Sequence, residues 1–406
     1  MDFSDIEWAH QRLVGIIKPT PLLRSDTFDR LIGAQVFLKP ENRQKTGSFK
    51  IRGAFNRLAS LSPQEARRGV IAASAGNHGQ ALSYAATRAG IRATIVMPRT
   101  AAIAKIDATR SYGQSVVLEG SDYQEARHAA FELQQRSGAV FVDAYDDPFV
   151  IAGQGTIGLE IAEELAPDAV LVPVGGGGLI AGIALALSIR LPNTTIIAVE
   201  AAGSAQLSAS FAAGAPVSIG GPVDTIADGL ATGRIGQLPF QLLRERVRRI
   251  VTVDDGEIGE AVLLMLERMK LLAEGAGAAA LAGAIKLAPE LAGKRVVVVV
   301  SGGNIDINLL DRIIGYGLAK AGRLLRFSVN LHDRPGELQK LLALIGAAGA
   351  NVRTIEHDRT RLNMPIGSAC VMLELETRSC EHVSEIRERL ARQGYAITPE
   401  GSMGPA

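Results

Sequence analysis

Apolar positions along the chain switch repeatedly between two spacings. Short runs rich in Val, Ile and Ala at residues 69–73, 93–98, 115–118 and 140–142 alternate with stretches at 79–88, 101–112 and 122–137 whose apolar residues return every three or four positions. Strand-length runs separated by helical patterns predict a parallel sheet with helices on its faces. Residues from about 53 to 145 therefore read as a small open α/β unit. The pattern resumes from Gly153 with a helix at 156–165, where Ile157, Ile161 and Leu165 share a face. Strands follow at 169–174, 195–199, 250–253 and 295–300, with helices at 257–272 and 276–287. The unbroken valines of the last strand fit a sheet covered on both faces. Residues 203–236, rich in Gly, Ala and Ser, are irregular and read as loops around a site. After a boundary near 320, the order strand 326–331, helix 336–347, strands 351–357 and 368–376, helix 381–393, strand 395–398 is the βαββαβ, ferredoxin-like plan.

Composition narrows the class. Of 406 residues, 47% are apolar and 21% charged, so packed domains are expected rather than disorder. Forty-three basic against 42 acidic residues give a formal net charge of +1, and no global field would draw in nucleic acid or an anionic membrane. Residues 169–189 carry no charge over a length that could span a bilayer, but Pro173 and four consecutive glycines interrupt them. A buried strand, a glycine loop and a buried helix are the better reading. With two cysteines, Cys370 and Cys380, and no apolar segment at the N-terminus, the chain reads as cytoplasmic.

Candidate chemistry gathers where strands pass into helices. In KPENRQKTGSFKIRGAFNRL, residues 39–58, Lys50 opens a predicted helix behind the turn Thr46-Gly47-Ser48-Phe49. The helix dipole is positive there and Arg43, Lys45 and Arg52 lie close in sequence, which favours a neutral, nucleophilic amine; the plainer reading is a solvated basic turn. Gly175, Gly176, Gly177, Gly178 and Leu179 follow a strand and open a helix, so their N–H groups suit a phosphate. Gly176, Gly178 and Ala181 also satisfy G-x-G-x-x-A, with Glu200 ending the next strand, which keeps a dinucleotide oxidoreductase open. Ser74, Ala75, Gly76, Asn77 and His78 form a second such loop, suited to a carboxylate or serving only as a helix cap, and His78 reads as structural. Ser301-Gly302-Gly303-Asn304 is a third. Three small-residue loops and one amine suit pyridoxal 5′-phosphate better than a dinucleotide.

Together these motifs resemble the threonine dehydratase (threonine ammonia-lyase) family, fold-type II pyridoxal-phosphate enzymes of the tryptophan synthase β group, over nearly all of residues 18–320. The resemblance implies two open, mostly parallel α/β domains within residues 1–320. It also implies that Lys50 binds the cofactor and acts as the base at Cα, and that Gly175, Gly176, Gly177, Gly178 and Leu179 hold the phosphate. Asn77 would contact the phenolic oxygen, Phe49 pack on the ring and Ser301 bond the pyridine nitrogen, with Ser74, Ala75, Gly76, Asn77 and His78 taking the substrate carboxylate. The implied activity is β-elimination of L-threonine to 2-oxobutanoate and ammonia, and of L-serine to pyruvate. Serine racemase and 3-hydroxyaspartate dehydratase are the alternatives.

Departures from the family pattern sharpen these expectations. Ala75 stands where related racemases carry a Ser base, which favours elimination. Glu200 is followed by Gln206, where those relatives use an Asp to hold a cation, so no metal is expected. Glu274 matches a family Glu near the ring, or is a helix-start carboxylate. Residues 321–406, with Leu331-His332-Asp333-Arg334-Pro335-Gly336-Glu337-Leu338, resemble an ACT regulatory domain. That likeness implies an amino-acid effector near the Pro335-Gly336 turn and a homo-oligomer, dimer or tetramer.

Overall fold

The valine strand Arg295–Val300 lies in the middle of the larger sheet in a computed structural model that describes residues 1–221, 223–360 and 364–399. The chain divides into two units, Met1–Leu309 and Leu310–Ala406. In the first, six strands run in the order Leu23–Arg24, Gln35–Pro40, Arg295–Val300, Ala169–Pro173, Thr195–Ala201, Val247–Val253. All neighbours are parallel except the first pair. Val296 to Val300 are fully buried, as a sheet covered on both faces requires. A second, wholly parallel sheet has the order Ser115–Leu118, Ala93–Met97, Val70–Ala73, Val140–Phe141. No described helix is long and apolar enough to cross a membrane.

Two helices depart from the pattern read along the chain. The one expected from 156 begins at Pro148, where the Asp147 side chain accepts from the N–H groups of Phe149 and Val150, and runs to Glu164. The glycines in its added turns are contact points. A Cβ on Gly153 would stand 2.6 Å from the Arg52 carbonyl oxygen, and one on Gly155 would stand 3.0 Å from that of Gly182. Small residues let this helix lie against both Lys50–Ala59 and Gly178–Arg190. The helix expected over 257–272 instead spans Asp255–Leu264, passes through a π-turn at Met265–Met269 and ends on Lys270 at φ 56°. This left-handed residue turns the chain so that Glu274 precedes the next helix, Gly275–Lys286.

A buried ion-pair network ties the Lys50–Ala59 helix to its neighbours. Arg52 and Glu41 are both fully buried, and the guanidinium donates to Glu41 at 2.7 and 2.8 Å and to Glu160 at 2.5 and 2.8 Å. Lys39, also fully buried, reaches Glu160 at 2.7 Å. Burial alone would lower the Arg52 pKa, but the two carboxylates outweigh it and hold the guanidinium firmly protonated. Burial pushes Glu160 up, and Arg52 and Lys39 more than reverse that.

The second unit contains strand Leu324–His332, helix Glu337–Ala347, strands Asn351–Asp358 and Ser368–Glu376, helix Cys380–Arg392 and strand Ile397–Pro399. Its antiparallel sheet has the order Asn351–Asp358, Ser368–Glu376, Leu324–His332, Ile397–Pro399. Phe327, Val329, Leu341, Val371, Ile386 and Leu390 belong to a core separate from that of the first unit.

Removing one member of a buried charge network strands the others. Arg52→Met should therefore lower the unfolding free energy by about 3–5 kcal/mol. Urea denaturation measures it, and a loss below about 1 kcal/mol would contradict the burial of uncompensated Glu41.

Candidate active site

The carboxyl ends of the parallel strands open into a cavity of about 300 Å³. Phe49, Lys50, Ser74, Ala75, Gly76, Asn77, His78, Gly175, Gly176, Gly177, Gly178, Leu179 and Ser301 all line it, so residues from four separate stretches of sequence meet in one place. Tyr145, Lys105 and Asp228 line it as well and carry no local motif. Asp228 falls within the irregular 203–236 stretch, the one advance sign of its presence.

Lys50 is the first residue of its helix, and no side chain caps that helix. Its Nζ donates to the Ala144 carbonyl at 2.7 Å and stands 5.1 Å from the centre of the Phe49 ring. Burial lowers its pKa to about 8, against the charges of Asp143 and Glu274, which raise it. This corrects the reading from crowded cations: Arg52 is occupied by Glu41 and Glu160, while Arg43 and Lys45 are exposed. Desolvation, not neighbouring positive charge, makes the amine less basic.

The glycine loop is shaped to receive an anion. Helix Gly178–Arg190 has no side-chain cap, so the first N–H groups are left to a ligand. Gly177, at φ 91°, makes the turn. A Cβ on Gly176 would stand 2.2 Å from the Tyr145 ring, so the loop and that ring close on one another only without a side chain there. Helix Asn77–Ala89 likewise starts at Gly76 with no side-chain cap. The Ser74 hydroxyl accepts from the N–H groups of Gly76 and Gly79 at 3.2 and 3.1 Å, holding that loop in shape. His78 Nε2 faces the Val142 carbonyl at 3.0 Å, and since a carbonyl only accepts, Nε2 carries the proton. Burial, with help from the charge of Lys50, lowers the His78 pKa to about 4, so the ring is neutral near pH 7.

A chain of amides and acids closes the remaining side. Asn304 donates to the Thr46 carbonyl and to Asn77 Oδ1, each at 2.7 Å, and Asn77 donates to Glu274 at 2.6 Å. Burial, reinforced by Asp228, raises Glu274 to about 7, while Asn77, Lys105 and Lys50 pull it down. The buried Ser301 hydroxyl donates to the Ala276 carbonyl at 3.2 Å. An uncapped helix start for a phosphate, an amine of reduced basicity and a buried hydroxyl fit the pyridoxal phosphate that the sequence motifs imply.

Glu200 does not face this cavity. It is fully buried, and its oxygens accept from Leu207 N at 2.5 Å and from Ser208 N and Oγ at 3.0 and 2.5 Å. A carboxylate committed to the start of helix Gln206–Ala213 is not available to a ribose, which removes the argument for a dinucleotide. Gln206 Nε2 donates to the carbonyl of Gly175 at 2.9 Å, bracing the glycine loop.

In cofactor-free protein, labelling of Lys50 by an amine-reactive reagent should rise with a midpoint near pH 8, because the neutral form reacts. Glu274→Gln removes a charge that favours the ammonium and should move the midpoint lower. A midpoint near the ordinary lysine value of about 10.4 would contradict the desolvated amine.

The family model described as pyridoxal-phosphate dependent enzyme matches residues 13–302. An L-threonine ammonia-lyase of Thermotoga maritima is 46% identical over 396 residues, covering 97% of this chain and 98% of its own. Another L-threonine ammonia-lyase, from Geobacter sulfurreducens, is 43% identical over 401 residues, covering 98% and 99%. Among solved structures, the processed form of threonine deaminase isoform 2 from Solanum lycopersicum superposes with a TM-score of 0.73 at 36% identity, over 78% of this chain and 94% of its own. With a matching family model across most of its length and full-length relatives at this identity, the chain belongs to the pyridoxal-phosphate dependent enzyme family.

Proposed function

We propose that the protein is a threonine ammonia-lyase that converts L-threonine to 2-oxobutanoate and ammonia, and L-serine to pyruvate and ammonia. The observation that carries the reading is the meeting of a desolvated Lys50 amine and two uncapped helix starts around one cavity. Relatives named for this activity, similar over almost the whole chain, support it.

The N–H groups of residues 175–179 would hold the cofactor phosphate, Phe49, Asn77 and Ser301 would contact the rest of it, and the loop 74–78 would take the substrate carboxylate. The bound cofactor supplies the electron sink that makes the Cα proton of the substrate acidic. Lys50 would hold the cofactor and take that proton. Ala75 offers no second base, so the proton is not returned from another face, and loss of the β-hydroxyl as water follows. The released enamine takes up water to give the 2-oxo acid and ammonia. The neutral His78 holds the carboxylate loop through Val142 rather than exchanging protons. Ala75 also places racemisation behind elimination.

The second unit reads as an ACT regulatory domain. Its βαββαβ order and the Gly336 turn at φ 90°, which opens helix Glu337–Ala347, support this. It would bind an amino-acid effector there and pair between subunits of a cytoplasmic homo-oligomer.

Purified protein with L-threonine should form 2-oxobutanoate, and Lys50→Ala should lower that rate by about a thousandfold or more. No keto acid from the wild type, or retained turnover in the variant, would refute the reading. Titration with amino acids should find an effector whose binding Gly336→Asp removes and Lys50→Ala leaves intact. Equal binding by both variants would place the effector elsewhere.

A further inference from the structure

Two amines and two carboxylates line the cavity: Lys50, Lys105, Asp228 and Glu274. Lys50 and Glu274 belong to the arrangement described above, whereas Lys105 and Asp228 engage each other. Lys105 comes from helix Ile103–Arg110 beside the smaller sheet, and Asp228 from the turn Asp228–Leu230. The pair is not remote from the reacting groups, since Glu274 feels the charges of Asp228, Lys105 and Lys50 together.

L-Threonine and L-serine bring one carboxylate, which the loop 74–78 can take, and an uncharged β-substituent. A β-hydroxy amino acid with a second carboxylate would bring another negative charge into the cavity that Glu274 and Asp228 line. Like charges so placed reject a ligand unless a cation answers it. Lys105 is the lining amine left to do so, and its ammonium is already engaged by Asp228.

We infer that Asp228 determines specificity: by engaging Lys105 it denies a second substrate carboxylate its counter-ion and restricts the site to β-hydroxy amino acids with uncharged side chains. This rests on the lyase reading above. Lys105 and Asp228 are both partly exposed, so substitutions there do not open the core.

The test compares kcat/KM for L-threonine and L-threo-3-hydroxyaspartate in the wild-type holoenzyme, in Asp228→Asn and in Asp228→Asn with Lys105→Met. The wild type should favour L-threonine strongly. Asp228→Asn should raise the ratio of hydroxyaspartate to threonine efficiency by about tenfold or more. Adding Lys105→Met should cancel the gain, because the freed ammonium is what the second carboxylate meets. An unchanged ratio, a parallel fall for both substrates, or a wild type that uses both equally would overturn the inference. A parallel fall would mean that the pair only clamps the two sheet layers. Should the wild type fail to turn over L-threonine, the lyase reading falls on its own. The specificity claim is then read from the relative affinity for L-aspartate over L-alanine, followed by the change in cofactor absorbance. Asp228→Asn must raise that relative affinity for the claim to stand, and no rise overturns it.

Discussion

The site depends on where Arg52 is held. Its guanidinium is fully buried and shared between Glu41, next to the end of strand Gln35–Pro40, and Glu160, on helix Pro148–Glu164. Lys50 begins the same short helix two residues earlier, so the network sets the position of the reactive amine relative to both neighbours. The arrangement is costly to form, because three fully buried charged side chains, Lys39, Glu41 and Arg52, must be satisfied together with Glu160. Its hydrogen bonds are short and bidentate, the geometry in which a guanidinium compensates best for lost water. What it yields is placement: a helix start that cannot drift from the cavity wall.

Around that fixed amine, the chemistry follows from dehydration and from backbone dipoles more than from side-chain charge. Burial brings Lys50 down to about 8 and lifts Glu274 to about 7, so both groups titrate close to neutral pH. The two anion loops use helix starts without side-chain caps, leaving their N–H groups for the ligand. Glycine at 176 lets Tyr145 close on the glycine loop, and Gln206 braces the same loop through the Gly175 carbonyl. A strand-end site of this kind needs few charged residues. Lys105 and Asp228 are among the few present.

Much of this was legible in the sequence, because strand-end loops leave local signatures. Runs of glycine after a valine-rich strand marked the loop 175–179 and the turn before Lys50 marked that residue, and the structure brings both to one cavity. Contacts between residues distant in sequence were not legible. Arg52 looked like one more surface cation, and only folding reveals Glu41 and Glu160 closing on it. Gly153 and Gly155 lay outside the helix expected from 156, yet they are the points at which three helices touch. Glu200 sat where a ribose-binding acid would, but its oxygens cap the helix that follows. In each case the residue type was plain and its partner was not.

We propose that Lys50, held by the Arg52 network and made less basic by burial, is the amine that carries the cofactor. Borohydride reduction of the holoenzyme followed by peptide mass mapping tests it most directly. A pyridoxyl group is expected on the peptide bearing Lys50 and on no other lysine. A pyridoxyl group on Lys105 or elsewhere, with Lys50 unmodified, would contradict it.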